Sequence, residues 1–296
     1  MTTDRLRLAI FGNVFQPKKS ASIRRLLSCL ASFGDEVAMD RAFYDFICRC
    51  SRERVGVARV FDGGDFDADF VISMGGDGTF LKAASRVGAK QIPIVGVNVG
   101  RLGFLADVGP GDIEACIEAL HRGEYAIEDR GALLVEPQGG SLAGPACALN
   151  DVAILKRDDA SMITIHASID GESLATYQAD GLIVCTPTGS TAYSLSNGGP
   201  IIVPGTPVFG ITAVAPHSLN TRPMVISDRS VLTFRVESRS HNFLIAVDGR
   251  SEKCADGVAI RLRKAPYKVR IVKRPGTSYY DTLREKMMWG ADGREK

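Results

Sequence analysis

Phe70-Val71-Ile72-Ser73-Met74-Gly75-Gly76-Asp77-Gly78-Thr79-Phe80 runs from an apolar segment through a glycine turn into a helical pattern that continues to residue 87. A short apolar run with β-branched residues, closed by glycines, reads as a buried strand, so the stretch predicts strand over 70–74, turn, and helix over 80–87. The same unit stands upstream, where residues 8–11 end in Gly12-Asn13 and Ile23, Leu26, Leu27 and Leu30 recur at helical spacing before Gly34. Downstream, a strand over 92–97 precedes a helix with Ile113, Cys116, Ile117 and Leu120 on one face and Asp112 as its expected cap. Strands alternating with helices predict an α/β domain with a Rossmann-like parallel sheet. Ligands of such sheets bind beyond the carboxyl ends of the strands, where Gly75-Gly76-Asp77 and Asn98-Val99-Gly100 fall.

From about residue 130 the pattern changes. Ile163, Ile165, Ala167 and Ile169 alternate with polar residues up to Asp170-Gly171, and a second arm follows through Leu174 and Thr176, which predicts a hairpin. Further strands are expected over 230–237, 243–247, 258–263 and 268–272, with Asp248-Gly249 and Asp256-Gly257 as turns. The predicted organisation is an α/β domain over 1–129 and an all-β C-terminal domain, a β-sandwich, over 130–274. The segment 275–296, weakly helical over 282–288, either stands apart or returns to the first domain.

A chain of 296 residues with 45% apolar content can fill two cores of ordinary size. Its 36 basic and 34 acidic residues leave a net charge of +2, with no block of one sign, which argues against a nucleic-acid or anionic-membrane surface. An anionic ligand must therefore be met locally, in a site. Seven cysteines, at 29, 48, 50, 116, 147, 185 and 254, form no CxxC pair, and no leader-like segment opens the sequence, so reduced thiols in a cytoplasm are expected. Cys48-Arg49-Cys50 has the wrong spacing for zinc. The longest apolar run is far short of a membrane span.

Three glycines around Asp77 allow close backbone approach, so amides and a helix N-terminus can face phosphate oxygens. A carboxylate placed there would repel phosphate unless it accepts a proton from an attacking hydroxyl or holds a divalent cation. Asp77 is thus the candidate catalytic residue, against the plain alternative of an Asp-Gly turn. Residues 98–105 mix glycines with Asn98 and Phe104 but lack GxGxxG, and serve equally as a structured loop or a ligand wall. The densest cluster carries Asp180 at one end of an apolar strand and Thr186-Pro187-Thr188-Gly189-Ser190-Thr191-Ala192-Tyr193-Ser194 at the other, continuing to Ser196 and Gly199. Hydroxyls, amides and one aromatic suit ribose, phosphate and base contacts, while a serine hydrolase would need GxSxG and a marked histidine. Asn150-Asp151 stands at the mouth of another strand.

In identity, order and spacing, these motifs resemble the NAD kinase family of the ATP-dependent, bacterial type, from about residue 8 to about residue 273. Pro216-His217-Ser218-Leu219, Arg222-Pro223 and Asp248-Gly249 look like its remaining landmarks. Gly75-Gly76-Asp77-Gly78-Thr79 alone is shared with diacylglycerol kinases, sphingosine kinases and phosphofructokinases; the motif at 186–193 after Asp180 points to NAD. The resemblance implies transfer of the ATP γ-phosphoryl group to the 2′-hydroxyl of the adenosine ribose of NAD, with Mg²⁺ held mainly by the ATP phosphates and no protein metal ligand. It makes Asp77 the proton acceptor, lines the dinucleotide with Gly78 and Phe104, and gives the adenosine half to Asn150 and Asp151. It puts Asp180 near the nicotinamide, Thr188, Thr191, Ala192 and Tyr193 around base and ribose, and Ser194 and Ser196 close by. It also implies a homo-oligomer, dimer or tetramer, whose sites a neighbouring subunit completes through the β domain. Asp151 departs from the glutamate of many members, and Gln178 from a position that is often basic; Arg250 is a further candidate polar contact. Two other readings share parts of this pattern: a lipid kinase of the diacylglycerol or sphingosine type, and a non-catalytic NADP-binding sensor.

Overall fold

The computed structural model describes residues 5–14, 20–51, 54–100, 103–139, 142–144, 146–157, 161–274, 276 and 278–288. Arg101 and Leu102 of the 98–105 motif, and residues 275, 277 and 289–296 of the C-terminal segment, lie outside the described residues. The chain divides into two compact units, Met1–Glu128 with Arg270–Lys296, and Asp129–Val269.

In the first unit the order is β1 (Arg7–Gly12), α1 (Ser20–Phe33), β2 (Glu36–Asp40), α2 (Arg41–Ser51), β3 (Arg59–Phe61), β4 (Phe70–Met74), α3 (Asp77–Val87), β5 (Ile94–Val97) and α4 (Ile113–Arg122). The strands are parallel in the order β3-β2-β1-β4-β5, with Leu8 opposite Phe70 and Ile10 opposite Ile72. All five residues of β4 are buried, which is why its sequence is a continuous apolar run rather than an alternation. From the junction of β1 and β4 the strand order leads away in opposite directions, and the crevice beyond their carboxyl ends is the place where such a sheet takes its ligand. The Asn13 amide donates to the Met74 carbonyl at 3.0 Å and the Gly75 amide to the Val97 carbonyl at 2.9 Å, tying the loops at this end together.

Helix α3 starts at Asp77, three residues before the predicted onset, with Gly76 extended as its N-cap. The apolar face of Phe80, Ala83, Ala84 and Val87 marks only the buried turns, and the polar first turn leaves no periodic signal. Asp112 stands at the N-cap of α4 without capping it by its side chain; its carboxylate pairs with Arg274 Nη1 at 3.3 Å instead.

The second unit holds most of β6 (Ala126–Gln138), then β7 (Cys147–Ala148), β8 (Asp151–Leu155), β9 (Ile163–Ile169), β10 (Glu172–Ala179), β11 (Gly181–Cys185), the one-turn helix α5 (Tyr193–Ser196), β12 (Val208–Val214), β13 (Met224–Ser227), β14 (Leu232–Glu237), β15 (Asn242–Val247), β16 (Arg250–Ala255) and much of β17 (Ala259–Lys273). One sheet runs β10-β9-β14-β17 with β6 and β7 attached, the other β13-β12-β11-β8-β15-β16. Ile163, Ile165, Phe234 and Ile260 of the first share one core with Val152, Ile154, Leu182, Val184, Phe243 and Ile245 of the second, which makes a β-sandwich. The hairpin of β9 and β10 turns at Asp170-Gly171 as the alternation predicts. The two strands expected over 258–263 and 268–272 are one, β17, running through Pro266. Its pairings with β14, at Ile260 to Leu262, and with β5, at Ile271, flank the proline, which breaks a sequence pattern without ending the strand. The last helix, α6 (Tyr279–Met287), belongs to the first unit.

Candidate active site

Asp77, the first residue of α3, turns its carboxylate onto the loop after β5. Oδ1 accepts the backbone N–H groups of Leu105 at 3.0 Å and Ala106 at 3.2 Å, and Oδ2 accepts the N–H of Phe104 at 3.0 Å and Lys286 Nζ at 3.2 Å. A glycine is required at 103, because a Cβ there would lie 2.1 Å from Asp77 Oδ1. Lys286 comes from α6, whose first turn is capped by Ser278 accepting from the Tyr280 N–H, and its ammonium also lies 4.4 Å from the centre of the Phe104 ring. Burial would push the Asp77 carboxyl up, but the Leu105 amide, Lys286 and the amides of Phe104 and Ala106 together outweigh it and hold the group below its ordinary range. Asp77 is therefore an anion at neutral pH.

Beside it opens a cleft of about 330 Å³, lined by Gly12, Asn13, Gly76, Gly78, Thr79 and Lys82. Lys82 Nζ is 3.2 Å from Oδ2 of Asp40, whose side chain is buried. The cleft thus joins the start of a helix, glycine backbone and a cation, a combination suited to phosphate oxygens.

In the second unit β8 and β11 run antiparallel with Asp151 opposite Cys185, so Asn150 and Thr186 meet at one end of the sheet. Thr186 Oγ1 donates to the Leu149 carbonyl at 2.5 Å, the Thr186 amide donates to the Asn150 carbonyl at 2.9 Å, and the Gly189 amide donates to Thr186 Oγ1 at 3.2 Å. The approach at Gly189 excludes any side chain, since a Cβ would stand 2.0 Å from the Asn150 carbonyl oxygen. Thr188 Oγ1 accepts from Nη1 of the buried Arg130 at 3.0 Å, and Ser194 Oγ lies 3.0 Å from Thr212 Oγ1.

Asp248 braces this end of the sheet, its carboxylate accepting the amides of Leu149 at 2.9 Å, Asn150 at 2.8 Å and Asp151 at 3.2 Å. Burial, and then the charge of Asp248, push the Asp151 carboxyl up to about 7. Burial also raises Asp248, opposed by the three amides. Oδ1 of Asn150 is buried with no hydrogen-bond partner in the protein, an acceptor left for a ligand's donor. Thr191 and Ala192 are half-buried, whereas Tyr193 and Ser196 are exposed. Asp180 pairs with Lys156 Nζ at 2.9 Å at the opposite end of β11, roughly 20 Å of strand away from Thr186.

Residues 30–125 match the ATP-NAD kinase N-terminal domain and residues 149–274 the ATP-NAD kinase C-terminal domain. The chain is 53% identical to the NAD kinase of Bacteroides fragilis over 289 residues, covering 98% of this chain and all of that protein. It is 44% identical to the NAD kinase of Porphyromonas gingivalis, covering 96% of this chain and 98% of the other. The chain belongs to the NAD kinase family. Two solved structures share its fold: yeast NADH kinase in complex with NADH, at a TM-score of 0.87, 22% identity and coverage of 99% and 90% of the two chains, and an NAD kinase from Archaeoglobus fulgidus in complex with ATP, at 0.74, 24% identity and coverage of 95% and 98%.

Within this NAD kinase fold, Asp77, Gly78 and Phe104 lie in the first unit, and Phe104 reaches Asp77 through its own amide. Asn150, Asp151, Thr188, Thr191, Ala192 and Ser194 gather at one end of a sheet in the second, while Asp180 lies at the other end. Three residues that shape these places were not singled out for them from sequence. In the sequence Asp248 stands out only as a turn residue and family landmark, although a carboxylate at a turn is a ready acceptor for neighbouring amides. Arg130 and Lys286 carry no local signal, because their partners are 58 and 209 residues distant.

Proposed function

We propose that the chain transfers the γ-phosphoryl group of ATP to the 2′-hydroxyl of the adenosine ribose of NAD, yielding NADP and ADP, with Asp77 as the proton acceptor. The observation that carries this reading is a half-buried, anionic carboxylate fixed by three backbone amides beside a glycine-lined cleft of phosphate-binding chemistry. In the reaction the hydroxyl oxygen bonds to the γ-phosphorus as the bond to the bridging oxygen breaks, and the hydroxyl proton passes to Asp77. A loose transition state leaves the protein mainly positioning and charge neutralisation to supply, the work of the amides of the cleft and of Lys82. Asn150 Oδ1 and Asp151 suit the hydroxyl and amine donors of adenosine, with Thr188, Thr191, Ala192 and Tyr193 around base and ribose.

Among the described residues no group of three or more His, Cys, Asp or Glu side chains converges on a metal position, and a divalent cation carried mainly by the ATP phosphates and waters fits the cleft. Bound there, it would neutralise phosphate charge. The position of Asp180, away from the Asn150 end, supports a homo-oligomer in which it serves a neighbouring subunit's dinucleotide. All seven cysteines are free thiols, which supports a cytoplasmic setting. No helix among the described residues is long and apolar enough to cross a membrane.

Incubation of the purified chain with ATP, Mg²⁺ and NAD is expected to form NADP; absence of turnover rejects the kinase reading. Asp77→Asn should lower kcat by about 10²- to 10⁴-fold with little change in the KM for NAD, since a general base acts on the transition state. Turnover equal to the wild type would remove Asp77 from this role.

A further inference from the structure

An ionised carboxylate offers about four lone-pair positions, and the partners of Asp77 fill them: the amides of Leu105 and Ala106 on Oδ1, and the Phe104 amide and Lys286 on Oδ2. A substrate hydroxyl can hydrogen-bond to this carboxylate only by replacing one of them. The amides belong to a loop held in place by hydrogen bonds from the Gly103 amide to the Ala106 carbonyl at 3.2 Å, from Asn98 to Val108 at 2.7 Å and from Val108 to Gly96 at 3.0 Å. Lys286 ends a flexible four-carbon stem, and its side chain is one-third exposed (33%).

We propose that Lys286 is a positioning residue: it is the exchangeable fourth partner of Asp77, holding Oδ2 in place until the acceptor hydroxyl displaces it. The Phe104 ring, 4.4 Å from the ammonium, gives the displaced cation a second seat without moving α6. Other charged groups around Asp77 are already committed elsewhere: Lys82 of α3 pairs with Asp40, Asp107 after the loop pairs with Lys273, and Asp281 and Arg284 of α6 pair with each other. Lys286 is also the charge that acts on the Asp77 carboxyl directly. The proposal rests on Asp77 being the base of the reaction.

Lys286→Met, Lys286→Arg and, as a control on the same helix, Glu285→Gln test it in the full chain, with thermal midpoints confirming that each folds. Following the Asp77 carboxyl by ¹³C NMR, the titration should move to higher pH in Lys286→Met, stay near the wild type in Lys286→Arg and be unchanged in Glu285→Gln. NAD should bind Lys286→Met about two- to fivefold more tightly than the wild type, because a part-exposed ion pair of that worth no longer has to be broken. The analogue lacking the adenosine 2′-hydroxyl should bind both proteins equally. An unmoved carboxyl titration in folded Lys286→Met, or an equal change for both dinucleotides, overturns the proposal. Wild-type turnover by Asp77→Asn, with the titration shift still present, would instead strike out the base and leave the Lys286 pairing standing.

Discussion

Asp151, buried at the start of β8, lies against Asp248, half-buried in the turn between β15 and β16, and two carboxylates so close cannot both ionise cheaply. Asp248 accepts three amides and is the better placed to keep its charge, so the proton at neutral pH resides on Asp151, which titrates at about 7. In the unfolded chain the same group titrates near 3.9, so between about pH 4 and 7 the unfolded state binds fewer protons than the folded one. The stability contributed by Asp151 is therefore complete below about pH 4 and lost as the pH rises to about 7. Asp151→Asn removes this loss and should be more stable than the wild type above pH 7 by on the order of a few kcal/mol, an advantage that shrinks toward pH 4. Urea midpoints at pH 4.5 and pH 8 measure it; an equal gap between the two proteins at both pH values would show that Asp151 titrates as an ordinary carboxyl.

The loop from Thr186 to Tyr193 is held against Asn150 by backbone contacts that a single methyl group disrupts. Gly189→Ala sets a Cβ 2.0 Å from the Asn150 carbonyl oxygen, a clash with backbone that only displacement of the loop relieves. The variant should lose about 1–3 kcal/mol of stability and bind NAD at least roughly tenfold more weakly, by denaturation and calorimetric titration. Unchanged affinity would show that this contact does not shape the dinucleotide site. Elements built from local periodicity were legible in the sequence: β4 leading into α3 through its glycines, and the β9–β10 hairpin around Asp170-Gly171, each follow from contacts within a few residues. The onset of α3 at Asp77 was not, because a polar first turn buries nothing, and neither was the continuity of β17, because Pro266 looks like a boundary in one dimension. Candidate site residues in glycine- and hydroxyl-rich loops stood out by composition. Their supports, Asp248, Arg130 and Lys286, act across 98, 58 and 209 residues, and no local pattern encodes such a pairing.

Across the whole molecule, the residues proposed for substrate contact fall in two units with separate cores, Asp77, Gly78 and Phe104 in the first and the remainder in the second. Asp180 is set apart again, at the far end of β11 from Asn150 and Thr188. If it completes a neighbouring subunit's site, defects at Asp77 and Asp180 must complement each other in mixed oligomers. In a two-fold dimer one subunit carrying Asp77→Asn and one carrying Asp180→Asn form one site with both defects and one with neither. Asp180→Asn alone is expected to lose turnover as Asp77→Asn does; half of randomly assembled dimers are mixed, so co-expression of the two variants should recover roughly a quarter of wild-type turnover. Were Asp180 to act on the dinucleotide bound by its own chain, every site in the mixture would carry one defect. Activity would then stay at the level of the single variants, whatever the oligomeric state.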